Sequence, residues 1–171
     1  PAEWLGSPKT AQYPLHMLSN QPQARLHSQL DCSSVSREAK VAGREALWMH
    51  PQDAAARGIT DGDVVRVYND RGACLAGARV TEAIRTGVIQ LSTGAWFDPA
   101  DPATPGSLDK HGNPNVLTLD KGTSKLAQCS SAQTALVEVE RFVGTPPAVT
   151  AFTTPSVSTR SHAGEVERLA E

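Results

Sequence analysis

Three stretches of the sequence carry side chains that could read a ligand by hydrogen bonds. In Arg25-Leu26-His27-Ser28-Gln29-Leu30, an extended backbone would put Arg25, His27 and Gln29 on one face and Leu26, Ser28 and Leu30 on the other. Guanidinium, imidazole and amide groups in a row offer donors and acceptors, which suits a planar heterocycle such as a pterin or purine. A solvated strand face has the same pattern. The second stretch is Asn113-Pro114-Asn115 and the third Ser130-Ser131-Ala132-Gln133. In both, an amide could pair with a base edge, although Asn and Gln are also ordinary turn material. Lys110, Lys121 and Lys125 flank these stretches and could meet a phosphate, or could simply be solvated.

A self-sufficient catalytic set is not apparent. His16, His27, His50, His111 and His162 are isolated, and the Gly-rich stretches lack both a phosphate-loop Lys and a strand–helix context. The pattern points to binding rather than to chemistry done by these side chains, and it offers no catalytic residue and no metal ligand. The 171 residues carry a net charge of −2 with no run of like charge, which argues against nucleic acid and anionic membrane surfaces as partners. No apolar stretch approaches the roughly 20 residues that cross a bilayer, so membrane insertion is not expected. Cys32, Cys74 and Cys129 are far apart and odd in number, which reads as idle thiols in a reducing compartment. A cytoplasmic location is favoured on that ground, with the periplasm the alternative.

The positioning elements read as mostly β. Pro14 to Leu18 is a strand ending in a turn, and Ala46 to His50 is the next clear unit. Pro51 to Gly58 is a two-turn helix, with Pro in the first turn and Gly at the stop. Val64 to Tyr68, the type I turn Asn69-Asp70-Arg71-Gly72 and Cys74 to Thr81 form a hairpin. Val88 to Leu91 is then expected as the third strand of that meander, and Ala135 to Phe142 as the last strand. The Pro- and Gly-rich stretch from Gly94 to Pro114 is too long for a neutral connection and is expected to be functional. Residues 1–11 read as a linker from an upstream domain and 12–143 as the folded unit. Residues 144–171, where 11 of 28 residues are Ser, Thr or Pro, read as a disordered tail.

Several of these stretches, in the same order, are similar to one known family. Leu18-Ser19-Asn20-Gln21-Pro22 runs on to Arg25-Leu26-His27-Ser28-Gln29-Leu30. Pro51 through Val65, Asn69-Asp70-Arg71-Gly72, Gly94-Ala95-Trp96-Phe97-Asp98-Pro99, Gly112 through Asp120 and Gly122 through Gln128 follow. Over residues 12–143 this resembles the C-terminal domain of the dimethyl sulfoxide reductase family of molybdenum enzymes, most closely its biotin sulfoxide and trimethylamine-N-oxide reductases. The resemblance implies a mainly β fold with short helices, a six-stranded double-psi β-barrel. It also implies a cofactor, molybdenum bis(molybdopterin guanine dinucleotide), contacted by Asn20, Gln21, His27, Ser28, Gln29, Asn115 and Gln133. Position 21 is His in some relatives and position 132 Gly, where this chain has Gln21 and Ala132. The activity implied is oxygen-atom transfer from an S-oxide or N-oxide, biotin sulfoxide favoured. Upstream domains of the same polypeptide would be the partners, and the isolated fragment would be inactive.

Double-psi barrels also occur as stand-alone binding modules and as self-processing decarboxylases cleaved at a Gly-Ser pair. Gly106-Ser107 is such a pair, but it lies in a Pro-rich stretch where it is common, and the surrounding motifs differ. A non-catalytic binding module is therefore the alternative carried forward.

Overall fold

The computed structural model describes residues 3–126, 128, 129, 131 and 134–154. Six strands, β1 (Leu15–Leu18), β2 (Ala46–Met49), β3 (Val64–Tyr68), β4 (Ala73–Val80), β5 (Val88–Leu91) and β6 (Thr134–Arg141), close into a barrel in the order β1-β5-β2-β4-β3-β6. The pairs β1/β5 and β2/β4 are parallel, and the four remaining pairs are antiparallel. This is the double-psi arrangement expected from the sequence.

Every strand puts alternate side chains inside. Leu15 and Met17, Leu47 and Met49, Val65 and Val67, Ile89 and Leu91, and Val137 and Val139 meet in one dry core. Strand β4 contributes only small residues to it, Cys74, Ala76 and Ala78. Burial there pushes the Cys74 thiol well above its ordinary pKa. Gly77 faces outward beneath Val41, whose carbonyl occupies the place a Cβ would need, so a chain segment crosses directly over the sheet.

The hairpin of β3 and β4 forms as the sequence predicts, with Tyr68 opposite Ala73. Strand β5 does not extend that meander. It lies between β1 and β2, because the chain crosses the barrel end before entering it. A short helix, Pro51–Ala55, starts on His50, whose Nδ1 accepts from the Gln52 N–H at 3.1 Å, and its Asp53 accepts from the Gly87 N–H at 2.7 Å. That bond fixes where β5 begins.

Both chain flanks lie against the barrel. A short 3-10 helix spans Pro8–Ala11, and Glu3 accepts from both outer nitrogens of Arg71 at 2.6 and 2.9 Å, from Lys9 at 2.8 Å and from the Leu136 N–H at 3.2 Å. Burial opposes ionisation of Glu3, but these donors outweigh it and hold its pKa at about 2. The stretch expected as a linker is therefore clamped from Glu3 onward. Residues 145–152, expected as the start of a disordered tail, also pack on the fold, through Thr150 and Phe152. Residues 155–171 lie outside the described residues. Among the described residues no helix is long and apolar enough to cross a membrane.

Candidate cofactor-binding site

The site forms at the barrel end where β1 and β5 finish and β2 begins. Three loops meet there, each shaped by buried polar groups. In the first, residues 19–31, the extended row of Arg25, His27 and Gln29 expected from the sequence does not occur. His27 and Leu30 have positive φ of 50° and 62°, and the Gln29 N–H closes a turn on Leu26 O at 2.9 Å. The cause is Arg25, which turns inward instead of joining a surface row. Its guanidinium meets Glu45 at 3.0 Å, Asp31 at 3.4 Å, Ser36 Oγ at 3.2 Å and Thr93 O at 2.9 Å. Lys40 completes the cluster, 2.8 Å from Asp31 and 3.0 Å from Glu45.

Two cations and two carboxylates are thus shut away together, the arrangement that makes buried charge tolerable. Burial opposes the charge on Asp31, but Lys40, the Trp96 N–H and Arg25 overcome it and hold its pKa below the ordinary value. With Arg25 inside, His27 turns outward and Gln21 brackets it. The Gln21 Oε1 accepts the His27 backbone N–H at 3.0 Å, which fixes the orientation of the amide. Its Nε2, a donor only, then lies 2.7 Å from His27 Nδ1. Nδ1 therefore accepts, and the imidazole proton sits on Nε2.

The second loop runs from Ser92 to Asp98. Gly94 has a φ of +92°, and any Cβ there would fall on the carbonyl of His27, so only glycine lets the two loops cross at contact distance. The Thr93 N–H donates to Asn20 O at 2.9 Å and the Trp96 indole N–H to Ser28 O at 2.8 Å. Asp31 receives the Trp96 backbone N–H at 2.9 Å. The first two loops are thus tied at both ends of the crossing.

The third loop is organised by Asp109, which is wholly buried. One carboxylate oxygen accepts the N–H groups of His111, Gly112 and Asn113 at 3.2, 2.7 and 2.7 Å, and the other that of Asp98 at 2.8 Å. Burial still leaves its pKa above the ordinary value, with the four N–H donors pulling the other way. Asn113 then caps a 3-10 helix, Pro114–Leu117, by accepting the Asn115 N–H at 2.9 Å. The far end of that helix is held from the β3–β4 turn, where Asn69 and Arg71 both donate to Leu117 O at 2.8 Å. The turn seen in the sequence thereby sets the position of Asn115.

A cavity of about 400 Å³ opens between the loops, lined by His27, Ser28, Thr93 to Phe97, Asn113 and Asn115. Two sequence-predicted stretches are brought together there. Asn20 and Gln21 line a neighbouring cavity of about 570 Å³ with Trp48, Gln90 and Ser92. Gln29 is exposed and lines neither. Gln133 lies outside the described residues. Lys110, expected as a phosphate partner, is buried against Asp98 at 3.2 Å and unavailable to a ligand. Lys121 is exposed on a groove of about 570 Å³ that starts at Asn115. Lys125 is exposed as well, though outside that groove's lining.

Asn113, within the second candidate stretch, joins Asn115 on the cavity wall, whereas sequence reasoning on single residues missed Gly94 and Trp96 as parts of the site. The run Gly94-Ala95-Trp96-Phe97 just after a strand was the available signal, since it places a tight crossing beside exposed rings. Phe97, on the cavity lining, is 55% exposed, so an aromatic face is open to solvent there. Among the described residues, no three His, Cys, Asp or Glu side chains converge as a metal site. The ligand-facing set is neutral donors and acceptors, an imidazole N–H, a hydroxyl and an amide, which fits a planar heterocycle better than a free ion.

Comparison with known proteins agrees with this chemistry. The family model described as Molydopterin dinucleotide binding domain matches residues 15–136. The chain is 54% identical over 155 residues to a dimethyl sulfoxide/trimethylamine N-oxide reductase of Cereibacter sphaeroides, covering 91% of this chain and 19% of that protein. It is 52% identical over 146 residues to trimethylamine-N-oxide reductase 1 of Escherichia coli K12, covering 85% and 17%. With a biotin sulfoxide reductase of Cereibacter sphaeroides the identity is 50% over 144 residues, covering 84% and 19%. The chain therefore spans about a fifth of the length of these relatives. Among solved structures, acetylene hydratase from Pelobacter acetylenicus shares the fold, with a TM-score of 0.65 at 17% identity over 83% of this chain and 20% of that one. On its loops, its barrel and these matches, the chain belongs to the molydopterin dinucleotide binding domain family.

Proposed function

We propose that this barrel holds a molybdopterin guanine dinucleotide within a larger molybdenum enzyme that reduces an S-oxide or N-oxide, biotin sulfoxide favoured. The observation that carries the reading is the convergence of His27, Ser28 and Asn115 on one cavity, from loops far apart in sequence. His27 offers an Nε2–H held in that tautomer by Gln21, Ser28 a hydroxyl, and Asn115 an amide with both donor and acceptor. Asn20 and Gln21 serve the adjoining cavity, and Gln29 and Gln133 extend the same set. Lys121, at the end of the groove leading from Asn115, supplies a cation suited to a pyrophosphate.

When bound, the molybdenum cofactor supplies two-electron oxygen-atom transfer; the side chains of this chain bind it, orient its ring system and tune it by hydrogen bonds. A bis-dinucleotide form, contact with other domains of the same polypeptide, and an inactive isolated fragment belong to this reading. A cytoplasmic location belongs to it as well, supported by Cys32 and Cys74 standing outside any disulfide. The test is molybdenum by elemental analysis, with guanine nucleotide released by acid hydrolysis, on the full-length protein from its own cells. Two guanine nucleotides per molybdenum is the expected result. Neither one in matured protein would make the barrel a binding module of another kind.

A further inference from the structure

We propose that residues 147–152 form a strap that locks the second and third loops together, with Thr150 and Phe152 acting as positioning residues for the ligand cavity. The strap lies beyond the family match, which ends at residue 136, and its role in binding rests on the dinucleotide reading above. It is anchored by Arg44, whose Nη2 donates to Pro147 O at 2.6 Å. Thr150 then bridges the two loops. Its N–H and hydroxyl donate to the two Asp98 oxygens at 2.7 and 2.6 Å, and its hydroxyl accepts from Lys110 Nζ at 2.8 Å. Asp98 belongs to the second loop and Lys110 to the third.

Two residues on, the Phe152 ring sits edge-to-face with His111 at 4.9 Å and with Trp96 at 5.5 Å, under the Arg37 guanidinium at 4.5 Å. The His111 ring is fully buried, and its Nδ1 donates to Trp96 O at 2.9 Å. Its Nε2 is buried with no hydrogen-bond partner among the described residues. A buried acceptor of that kind draws water in if its cover is removed, and water entering there would loosen the packing of Phe152 against His111 and Trp96. Trp96 is the residue whose indole N–H holds Ser28 O and whose backbone N–H is held by Asp31. Two contacts thus separate Phe152 from Ser28 on the cavity wall, and a displaced strap would move the wall without touching the ligand.

The experiment uses the full-length protein as Thr150→Val, which keeps side-chain size, and Phe152→Leu, which keeps apolar bulk. Amide hydrogen exchange and the release rate of guanine nucleotide after dilution are read for both. Loss of an edge-to-face pair or a bridging hydroxyl is expected to speed exchange roughly tenfold in peptides covering 94–98 and 109–113. Peptides of the six strands should be unchanged, and nucleotide release should accelerate by a similar factor. Unchanged exchange in those loops, exchange raised equally in the strands, or faster loop exchange with unchanged release would each overturn the proposal. Wild-type protein lacking guanine nucleotide would sink the dinucleotide reading, while the exchange measurement would still decide whether the strap locks the loops.

Discussion

The barrel wall and the loop end of this molecule are both dry, and they become dry by opposite means. The wall buries Leu, Val, Ile, Met and Ala side chains that have no polar demand to meet. The loop end buries Arg25, Asp31, Glu45, Asp98, Asp109 and Lys110, every one of them paired or bonded to backbone N–H groups. Apolar packing is tolerant of shape and sets only that a strand is inside. A buried charge instead demands a partner at a fixed place and so specifies loop geometry, which is what a binding site requires. The wall supports; the charged end specifies.

That contrast can be broken at graded cost. Gly94→Ala is expected to be the most damaging single change. It combines an unfavourable φ with a collision against a backbone carbonyl, and should cost on the order of 4 kcal/mol in denaturant unfolding or prevent the loops from crossing. A variant of wild-type stability would contradict the crossing. Asp31→Asn keeps the shape but leaves Arg25 and Lys40 with a single carboxylate, so about 3 kcal/mol should be lost. On the wall, Ile89→Val removes one methyl group from the core and should cost only about 1 kcal/mol in the same assay. If Ile89→Val proved costlier than Asp31→Asn, the wall rather than the charged cluster would be the exacting part.

The most local effect should come from the flank clamp, through pH. The folded pKa of Glu3, about 2, lies below its ordinary 4.5. Its stabilisation is therefore present above pH 4.5 and lost as pH falls through about 2. Proteolysis of residues 3–11 should quicken in that window, and Glu3→Gln should quicken it already at neutral pH. A cleavage rate indifferent to both would show that the clamp does not hold the arm.

The same contrast explains what could be read beforehand. The Asn69 to Gly72 turn revealed the β3–β4 hairpin, alternation revealed β6, and the Pro51 start revealed the helix that follows β2, because those signals are local. The placement of β5 between β1 and β2 was hidden, since crossing the barrel end is decided by closure of the whole sheet and not by the turn at Gly87. At the site, His27 and Asn115 were legible as residue types that bind, Ser28 entered only through the resemblance, and the motif order tied all three to a family. The extended reading of Arg25 to Leu30 failed because a strand pattern carries no trace of Asp31 and Glu45 waiting to receive Arg25 inside. Residues 147–152 looked like tail because Pro and Thr are poor in apolar surface. Their docking depends on one aromatic, Phe152, and one bridging hydroxyl, Thr150.

The most direct test of the central claim is amide hydrogen exchange on the full-length protein, compared with and without its cofactor. The account predicts that binding protects peptides covering 27–28, 93–97 and 113–115, with the strands of the wall unaffected. Protection confined to the opposite end of the barrel, or none at these three loops, would contradict it.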